Sequence, residues 1–417
     1  MQNLKNKTIL LVGVQTQQDT LFEYTMIELT NLAKSCSYEV IGTVTQKLEH
    51  TKNVVYIGKG KLQEIATRVE EEMIEVVLFN DELSPSQFRN ISDLLTCEVL
   101  DRTMVILEIF ASRASTKEAQ LQVEISQLQY QLPRLIGMNE ELDRQGGSGE
   151  GVYNRGGGET KLELNRRRIE NKITKKKSEL KKMVQERKTQ REKRKKANIK
   201  TVALVGYTNA GKSSLMNVFV DSEESKLVFA KDMLFATLET RVRKINLGKN
   251  NECLLTDTVG FVDKLPHHLI KAFRSTLEEV KEADLLIHVI DISNPHYHEQ
   301  IKITLQTLES IGVKNIPIID VYNKIDIAGI DGFDVEDKIY LSATQKIGID
   351  KLKTKMIDYL FDDYSDREFL FPYAEGAVVS LLNEKFDVTS YKNEVDGIRI
   401  IARISKEFLK RYKKYLQ

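Results

Sequence analysis

The fold of this 417-residue chain is decided by the stretch Lys200-Thr201-Val202-Ala203-Leu204-Val205-Gly206-Tyr207-Thr208-Asn209-Ala210-Gly211-Lys212-Ser213-Ser214. An apolar run typical of a buried strand leads into it, and a helix-like run over residues 214–220 follows. Gly-x-x-x-x-Gly-Lys-Ser between a strand and a helix is typical of a phosphate-binding loop, whose backbone N–H groups and helix N-terminus surround phosphate. An ordinary glycine-rich turn is the alternative, and the flanking strand and helix disfavour it.

The loop predicts nucleotide contacts along its whole length. We expect the Lys212 ammonium to neutralise the β- and γ-phosphates and the Ser213 hydroxyl to bind Mg²⁺. The predicted contact set is Gly206, Tyr207, Thr208, Asn209, Ala210, Gly211, Lys212, Ser213 and Ser214.

The base is selected by a second motif, Asn323-Lys324-Ile325-Asp326, which follows the apolar run 316–322. The Asp326 carboxylate can accept hydrogen bonds from two guanine donors that adenine lacks, so adenine would leave a buried charge unpaired. We expect Asn323 to brace this part of the site, with Lys324 beside it. A third segment, Ser342-Ala343, is predicted to bring a backbone N–H near guanine O6.

Two segments between these motifs predict the metal and γ-phosphate contacts. In Asp257-Thr258-Val259-Gly260, we expect Asp257 to hold Mg²⁺ through water and the Gly260 N–H to sense the γ-phosphate. Upstream, Phe235-Ala236-Thr237-Leu238 offers Thr237 as the second hydroxyl ligand of Mg²⁺.

Hydrolysis is predicted to depend on Lys212, Asn209, Thr237 and Gly260, with no glutamine to orient water. Phe261 follows Gly260 where Ras-like enzymes carry that glutamine, so we expect slow intrinsic hydrolysis. Asn209 has two interpretations. It coordinates a K⁺ ion between the phosphates, or it only shapes a turn.

The order of segments predicts a multi-domain α/β protein. Alternating strand-like and helix-like runs over residues 1–100 predict a small, mostly parallel α/β domain. Two heptad seams over 101–197, joined by a loop at 146–158 with seven glycines, predict an antiparallel helical hairpin in which Pro133 kinks or ends the first arm. A phosphate-loop GTPase domain over 198–365 and a small α+β domain over 366–417 complete the chain.

Composition restricts the class of protein further. The three cysteines lie far apart and no apolar run is long enough to span a membrane, so we expect a cytoplasmic protein. The net charge is +1, but residues 161–196 carry 17 Lys and Arg against 5 Asp and Glu. This basic segment favours contact with a polyanion, and a solvated charged helix is the alternative.

The chain resembles the HflX family of ribosome-associated GTPases. The resemblance rests on the phosphate loop, on Leu234–Leu238, on Asp257–Phe261, on the hairpin string Gln122–Leu135 and on Gly58-Lys59-Gly60-Lys61. It implies GTP, GDP and Mg²⁺ as ligands, K⁺-assisted hydrolysis, and binding of a monomer to the large ribosomal subunit and its rRNA through residues 101–197 and the N-terminal domain. It also implies separation of stalled or idle ribosomes.

Two other functions are weighed beside this one. A GTP-gated RNA-binding scaffold would bind ribosomes without splitting them. An ATPase or RNA helicase would centre on Gly58-Lys59-Gly60-Lys61 in the N-terminal domain, although a basic turn explains that segment more simply.

Overall fold

The computed structural model describes residues 7–17, 19–51, 54–145, 161–196, 199–220, 235, 241–248, 251–264, 274–329 and 338–417. The chain divides into two compact units. The first comprises residues 1–189, 232–239 and 262–275, and the second comprises residues 190–231, 240–261 and 276–417.

The first unit is built on a four-stranded parallel sheet in the order β2-β1-β3-β4. Its central strands are apolar and buried, as expected for a parallel sheet covered by helices. The strands are β1 (Thr8–Gln15), β2 (Glu39–Lys47), β3 (Val76–Phe79) and β4 (Glu98–Asp101). The first three helices are α1 (Phe22–Ser35), α2 (Lys59–Glu71) and α3 (Pro85–Ser92).

A further helix, α4 (Arg102–Arg113), separates the sheet from the long helices, and the sequence patterns did not resolve it. The Asp101 side chain caps α4 by accepting from the Met104 N–H at 2.9 Å. Next to it, the buried Arg102 guanidinium pairs with Glu28 and donates to Asn80 Oδ1 at 3.1 Å. This buried pairing fixes α4 against α1 and the sheet.

Two long helices follow, α5 (Lys117–Gln145) and α6 (Lys161–Lys196). Of the two outcomes predicted for Pro133, termination of the first arm is wrong, because α5 runs through the proline. On either side of the proline, Tyr130 and Arg134 both bond the fully buried Asp101, and Arg134 also donates to the Tyr130 carbonyl at 2.9 Å. These contacts hold the helix through the position where proline removes a backbone donor.

The basic run lies on α6, and much of it is exposed. Arg166, Arg167 and Arg168 are exposed, whereas Ile173 is buried on the seam. Lys176 of α6 pairs with Glu124 of α5, a contact expected between the two arms of an antiparallel hairpin. The glycine-rich segment 146–158 lies outside the described residues.

The first unit also includes Phe235, from a segment that the sequence assigned to the nucleotide site, and Lys264. Phe235 is buried and packs edge-to-face on Phe110, with ring centroids 4.7 Å apart. Lys264 pairs with Asp81 at 2.6 Å and lies 3.8 Å from Asp19.

The second unit contains a six-stranded sheet in the order β10-β9-β8-β5-β7-β6, parallel except for β6 against β7. Because parallel strands point the same way, their carboxyl ends meet at one edge, where α/β proteins bind ligands. The strands are β5 (Lys200–Val205), β6 (Arg241–Asn246), β7 (Glu252–Asp257), β8 (Leu285–Asp291), β9 (Ile318–Asn323) and β10 (Ile339–Tyr340). The helices are α7 (Lys212–Phe219), α8 (Arg274–Lys281), α9 (Tyr297–Ser310), α10 (Ile325–Ala328) and α11 (Ile349–Leu360).

The end of the chain forms a three-stranded antiparallel sheet in the order β11-β13-β12. One face of this sheet packs on two helices through an apolar core. The elements are β11 (Tyr364–Phe371), α12 (Gly376–Lys385), β12 (Asp387–Glu394), β13 (Gly397–Ser405) and α13 (Lys406–Tyr412). The sequence predicted a small α+β domain over residues 366–417 and did not identify β11.

The predicted fold class is therefore confirmed: a multi-domain α/β protein with a parallel N-terminal sheet, long helices, a phosphate-loop domain and a C-terminal sheet. Of the helices that the structure describes, none is both long and apolar enough to cross a membrane.

Candidate functional site

The phosphate loop lies between β5 and α7, at the carboxyl edge of the six-stranded sheet. Gly206 and Gly211 have φ angles of 144° and 94°, which side-chain-bearing residues rarely adopt. A Cβ on Gly206 would lie 2.3 Å from the Val289 carbonyl oxygen, and one on Gly211 would lie 2.2 Å from Asn323 Nδ2. Both glycines are therefore required by conformation and by packing.

Lys212 is buried at the start of α7 and reaches back across the loop. Its Nζ donates to the carbonyl oxygens of Gly206 at 3.0 Å and Tyr207 at 2.7 Å. Burial lowers the pKa of the Lys212 ammonium to about 8, and the Asp257 carboxylate opposes part of that shift. An anionic group at the loop would restore the charged form by pairing with it.

Ser213 and Asp257 meet at this edge, as the sequence predicted for a shared metal. Ser213 Oγ donates to Asp257 Oδ2 at 2.7 Å, and Asp257 is fully buried at the end of β7. One hydroxyl and one carboxylate oxygen side by side are hard ligands of the kind that Mg²⁺ prefers. The residues present therefore fit a magnesium ion beside the phosphates.

Gly260 lies directly over the phosphate loop. A Cβ there would come within 2.8 Å of Thr208 Cα and 3.1 Å of Lys212 Nζ, so only glycine fits this close approach. The Thr208 hydroxyl is buried beneath it and has no hydrogen-bond partner among the residues that the structure describes. Buried polar atoms are normally paired, so this hydroxyl is available to bond a polar ligand held by the loop.

Phe261 is bound to the loop by its backbone. Its N–H donates to the Gly206 carbonyl at 3.2 Å, and its carbonyl accepts from the Thr208 N–H at 2.8 Å. This short parallel bridge buries the Phe261 ring to 2% exposure. The position where a water-orienting glutamine was sought thus holds an apolar side chain within the packing.

The base-recognition motifs are joined to the phosphate loop by one side chain. Asn323 Nδ2 donates to the Ala210 carbonyl at 2.9 Å, and Asn323 Oδ1 accepts from the Ala343 N–H at 3.0 Å. Asp326 is exposed, and its carboxylate accepts from Thr344 Oγ1 at 3.2 Å. The asparagine braces three segments, and the aspartate faces outward where a base is accessible.

One residue that sequence reasoning missed is Asp291, at the end of β8. Its carboxylate pairs with Lys324 Nζ at 2.8 Å and holds the lysine, whose φ of 68° is left-handed. The signal in the sequence is an aspartate at the end of a buried strand, since such a strand beside β5 ends at the ligand-binding edge of the sheet.

Thr237, the predicted second hydroxyl ligand of Mg²⁺, lies outside the described residues. Asn209 is exposed and has φ 61°, a turn conformation that asparagine tolerates. In the first unit, Gly58 precedes α2, and Lys61 pairs with Glu64 at 2.5 Å.

The comparisons with known proteins cover nearly the whole chain. Residues 23–111 match the family described as GTP-binding GTPase N-terminal, 113–194 match GTP-binding GTPase Middle Region, and 201–324 match 50S ribosome-binding GTPase. The chain is 43% identical over 412 residues to the GTPase HflX of Caldanaerobacter subterraneus subsp. tengcongensis, covering 99% of this chain and 94% of that protein. It belongs to the HflX family of GTPases.

Two further proteins are similar to this chain over most of its length. The GTPase HflX of Escherichia coli is 38% identical, covering 93% of this chain and 91% of its own length. A crystal structure of a GTP-binding protein from Sulfolobus solfataricus in complex with GDP is 26% identical, with a TM-score of 0.44, and covers 85% of this chain and 99% of that one. As an HflX-family GTPase, the protein binds GTP and GDP and hydrolyses GTP to GDP and phosphate.

Proposed function

We propose that this HflX-family GTPase binds the large ribosomal subunit in its GTP form and separates stalled or idle ribosomes. The observation that carries the proposal is the match of the nucleotide-binding region to a family described as 50S ribosome-binding GTPase. The basic helix α6 supports it, because its sequence carries 17 cations against 5 acids and Arg166, Arg167 and Arg168 are exposed, which suits contact with rRNA phosphates.

In this proposal the phosphate loop, from Gly206 to Ser214, holds the nucleotide phosphates, with the Lys212 ammonium on the β- and γ-phosphates. Ser213, Asp257 and Thr237 would hold Mg²⁺, which supplies positive charge against that developing on the transferred phosphoryl group. The Gly260 N–H senses the γ-phosphate, and its contact with the loop backbone makes its position sensitive to what the loop holds.

Base selection is divided between two roles. Asp326 binds guanine through its exposed carboxylate, while Asn323 holds the base-recognition segments and the phosphate loop together by hydrogen bonds. Lys324 and the Ser342-Ala343 segment complete the wall around the base. The Lys324–Asp291 pair supports this arrangement, because it fixes the lysine stem along the site.

Hydrolysis is proposed to be slow without a partner. Phe261 is buried in the bridge to the loop and has no polar group to orient water. Asn209, exposed at the loop tip, is proposed to coordinate K⁺ beside the phosphates. Rates of GTP turnover in KCl and NaCl, at equal ionic strength, test this role. Faster turnover in K⁺ that is lost in Asn209→Ala supports it, and equal rates in both salts contradict it.

The function is tested by sedimentation with purified large subunits. We expect co-sedimentation with GTP or a non-hydrolysable analogue and release with GDP, and binding without nucleotide dependence would overturn the proposal. Gradient profiles of intact ribosomes then separate two outcomes. An increase in free subunits supports splitting, whereas decorated intact ribosomes support a GTP-gated scaffold. Lys212→Ala, which removes the phosphate-binding ammonium, is the matched inactive control.

A further inference from the structure

The last helix of the chain, α13, and the 3-10 turn Lys413–Tyr415 that follows it are strongly two-sided. One side is apolar and packs into the core of the C-terminal sheet through Phe408, Leu409, Tyr412, Tyr415 and Leu416. The other side, here named the C-terminal cationic face, consists of Lys406, Lys410, Arg411, Lys413 and Lys414, all of them exposed. Packing of the apolar side fixes the backbone positions from which these five cations project.

Few acidic residues offset the positive charge of this face. Residues 406–414 contain five cations and one acid, Glu407, although the whole chain has a net charge of only +1. Among the side chains that the structure describes, the carboxylate paired with this face is Glu375, 4.0 Å from Lys414 Nζ. Four of the five cations have no described carboxylate within salt-bridge distance. The face therefore presents a concentrated positive potential to solvent.

Helix stability does not account for this arrangement. Cations in the last turn, such as Lys410 and Arg411, complement the helix dipole, but Lys406 lies in the first turn, where a cation is unfavourable. Lys406 and Lys410 are also four residues apart, a spacing at which like charges destabilise a helix by a few tenths of a kcal/mol. The fold would be served better by mixed charges, so the excess points to a ligand.

The chemistry of the face favours an RNA strand over a membrane. A helix that binds bilayers inserts its large apolar side chains, and here those side chains are committed to the protein core. Tyr412 and Tyr415 are partly exposed beside the cations, with Arg411 5.6 Å from the Tyr412 ring centroid and Lys414 Nζ 4.4 Å from that of Tyr415. Cations beside aromatic rings suit backbone phosphates and adjacent bases.

We propose that the C-terminal cationic face binds the phosphate backbone of an RNA strand. The choice of RNA over an acidic protein rests on the proposed function, since a ribosome presents RNA. The face shares no residue with the basic run of α6, and it belongs to the unit that contains the nucleotide site.

The test compares the full chain with Lys406→Gln/Lys410→Gln/Lys413→Gln and with a control of equal charge change, Lys34→Gln/Lys302→Gln/Lys314→Gln, at exposed lysines elsewhere. Binding of a short fluorescein-labelled RNA is measured by anisotropy from about 50 to about 200 mM KCl. Each phosphate contact contributes about 0.7–0.9 to the slope of log affinity against log salt, so the triple variant should lose about 2–3 from the slope. The control should keep the wild-type slope.

RNA binding by the basic run of α6 contributes equally to the affinity of all three proteins. The result is therefore the difference between their salt slopes. Equal slopes for the triple variant and the control would overturn the proposal. So would a loss confined to anionic vesicles or to polyglutamate, each measured in parallel. The free RNA assay contains no ribosome, and failure of GTP-dependent sedimentation would refute the proposed function separately. Unchanged GTP turnover and melting temperature of the triple variant confirm that the change is local.

Discussion

Nucleotide binding should take up a proton at alkaline pH, because Lys212 is buried before the nucleotide arrives. Burial lowers the pKa of its ammonium to about 8 from its ordinary value of 10.5. Phosphate oxygens favour the charged form, so the pKa in the complex is higher than in the free protein. Below pH 8 the lysine is charged in both states and affinity is flat. Above pH 8 the free lysine is neutral, and binding must protonate it.

The size of the effect follows from that value. Uptake on binding GDP should be about 0.1 proton at pH 7, about 0.5 at pH 8 and about 0.8 at pH 8.5. Affinity should then fall, approaching tenfold per pH unit above the free pKa. If the complex restores an ordinary lysine pKa of 10.5, the pKa rises from about 8 on binding. The loss of binding free energy at high pH is then at most about 3 kcal/mol.

Calorimetry measures this uptake directly. Binding enthalpies for GDP with Mg²⁺ are compared in two buffers of different ionisation enthalpy, and the difference gives the protons exchanged. The nucleotide phosphates are almost fully ionised throughout, since their second pKa is about 6. A histidine would give uptake that falls from pH 7 to 8.5, because its ordinary pKa is about 6.5, whereas Lys212 gives uptake that rises. Uptake that stays near zero at pH 8.5 would refute the reasoning.

Three further changes test the packing around the site and in the first unit. Gly260→Ala would press a Cβ onto the phosphate-loop backbone 2.8 Å away, so we expect a loss of about 1–3 kcal/mol in unfolding free energy and at least tenfold slower GTP turnover. Wild-type melting and turnover would contradict that close approach. Asp326→Asn, at an exposed position, should leave stability within about 0.5 kcal/mol and shift preference from GTP to XTP in competition binding. An unchanged preference for GTP would remove Asp326 from base recognition. Arg134→Met should cost about 3–5 kcal/mol in urea unfolding by leaving the buried Asp101 carboxylate without its cation, whereas Arg166→Met, at an exposed pair, should leave the urea midpoint nearly unchanged. Equal small effects would show that Asp101 does not depend on the pair.

The phosphate loop was predictable because its signal is local. Gly206, Gly211 and Lys212 act within one strand–turn–helix unit, and each is required there by a φ angle or a short contact. Where neighbouring residues in the chain determine the geometry, the sequence alone was sufficient.

The features that were missed depend on partners far along the chain. Asp291 becomes part of the site only because β8 lies beside β5 in the sheet and Lys324 folds back onto it. The edge strand β11 exists through its pairing with β13, some 30 residues later, and its own pattern is weakly alternating. Neither pairing is encoded in a short window.

Pro133 failed as a helix breaker for a similar reason. Proline removes one backbone hydrogen bond and crowds the preceding turn, a local cost of roughly 3 kcal/mol. Tyr130 and Arg134 meet that cost with buried bonds to Asp101, a residue about 30 positions earlier. A local rule was overridden by a tertiary network that the rule does not contain.

Asn323 explains why motifs more than a hundred residues apart occur together. Its amide joins the Ala210 carbonyl in the phosphate loop to the Ala343 N–H in the last base segment, so neither loop can move without breaking a buried bond. The same amide lies where a Cβ on residue 211 would stand, which excludes every residue but glycine there. The glycine of one motif is thus fixed by the asparagine of another. The phosphate and base loops form one hydrogen-bonded body in the chain alone, and such a body leaves little ordering for the nucleotide to impose when it binds.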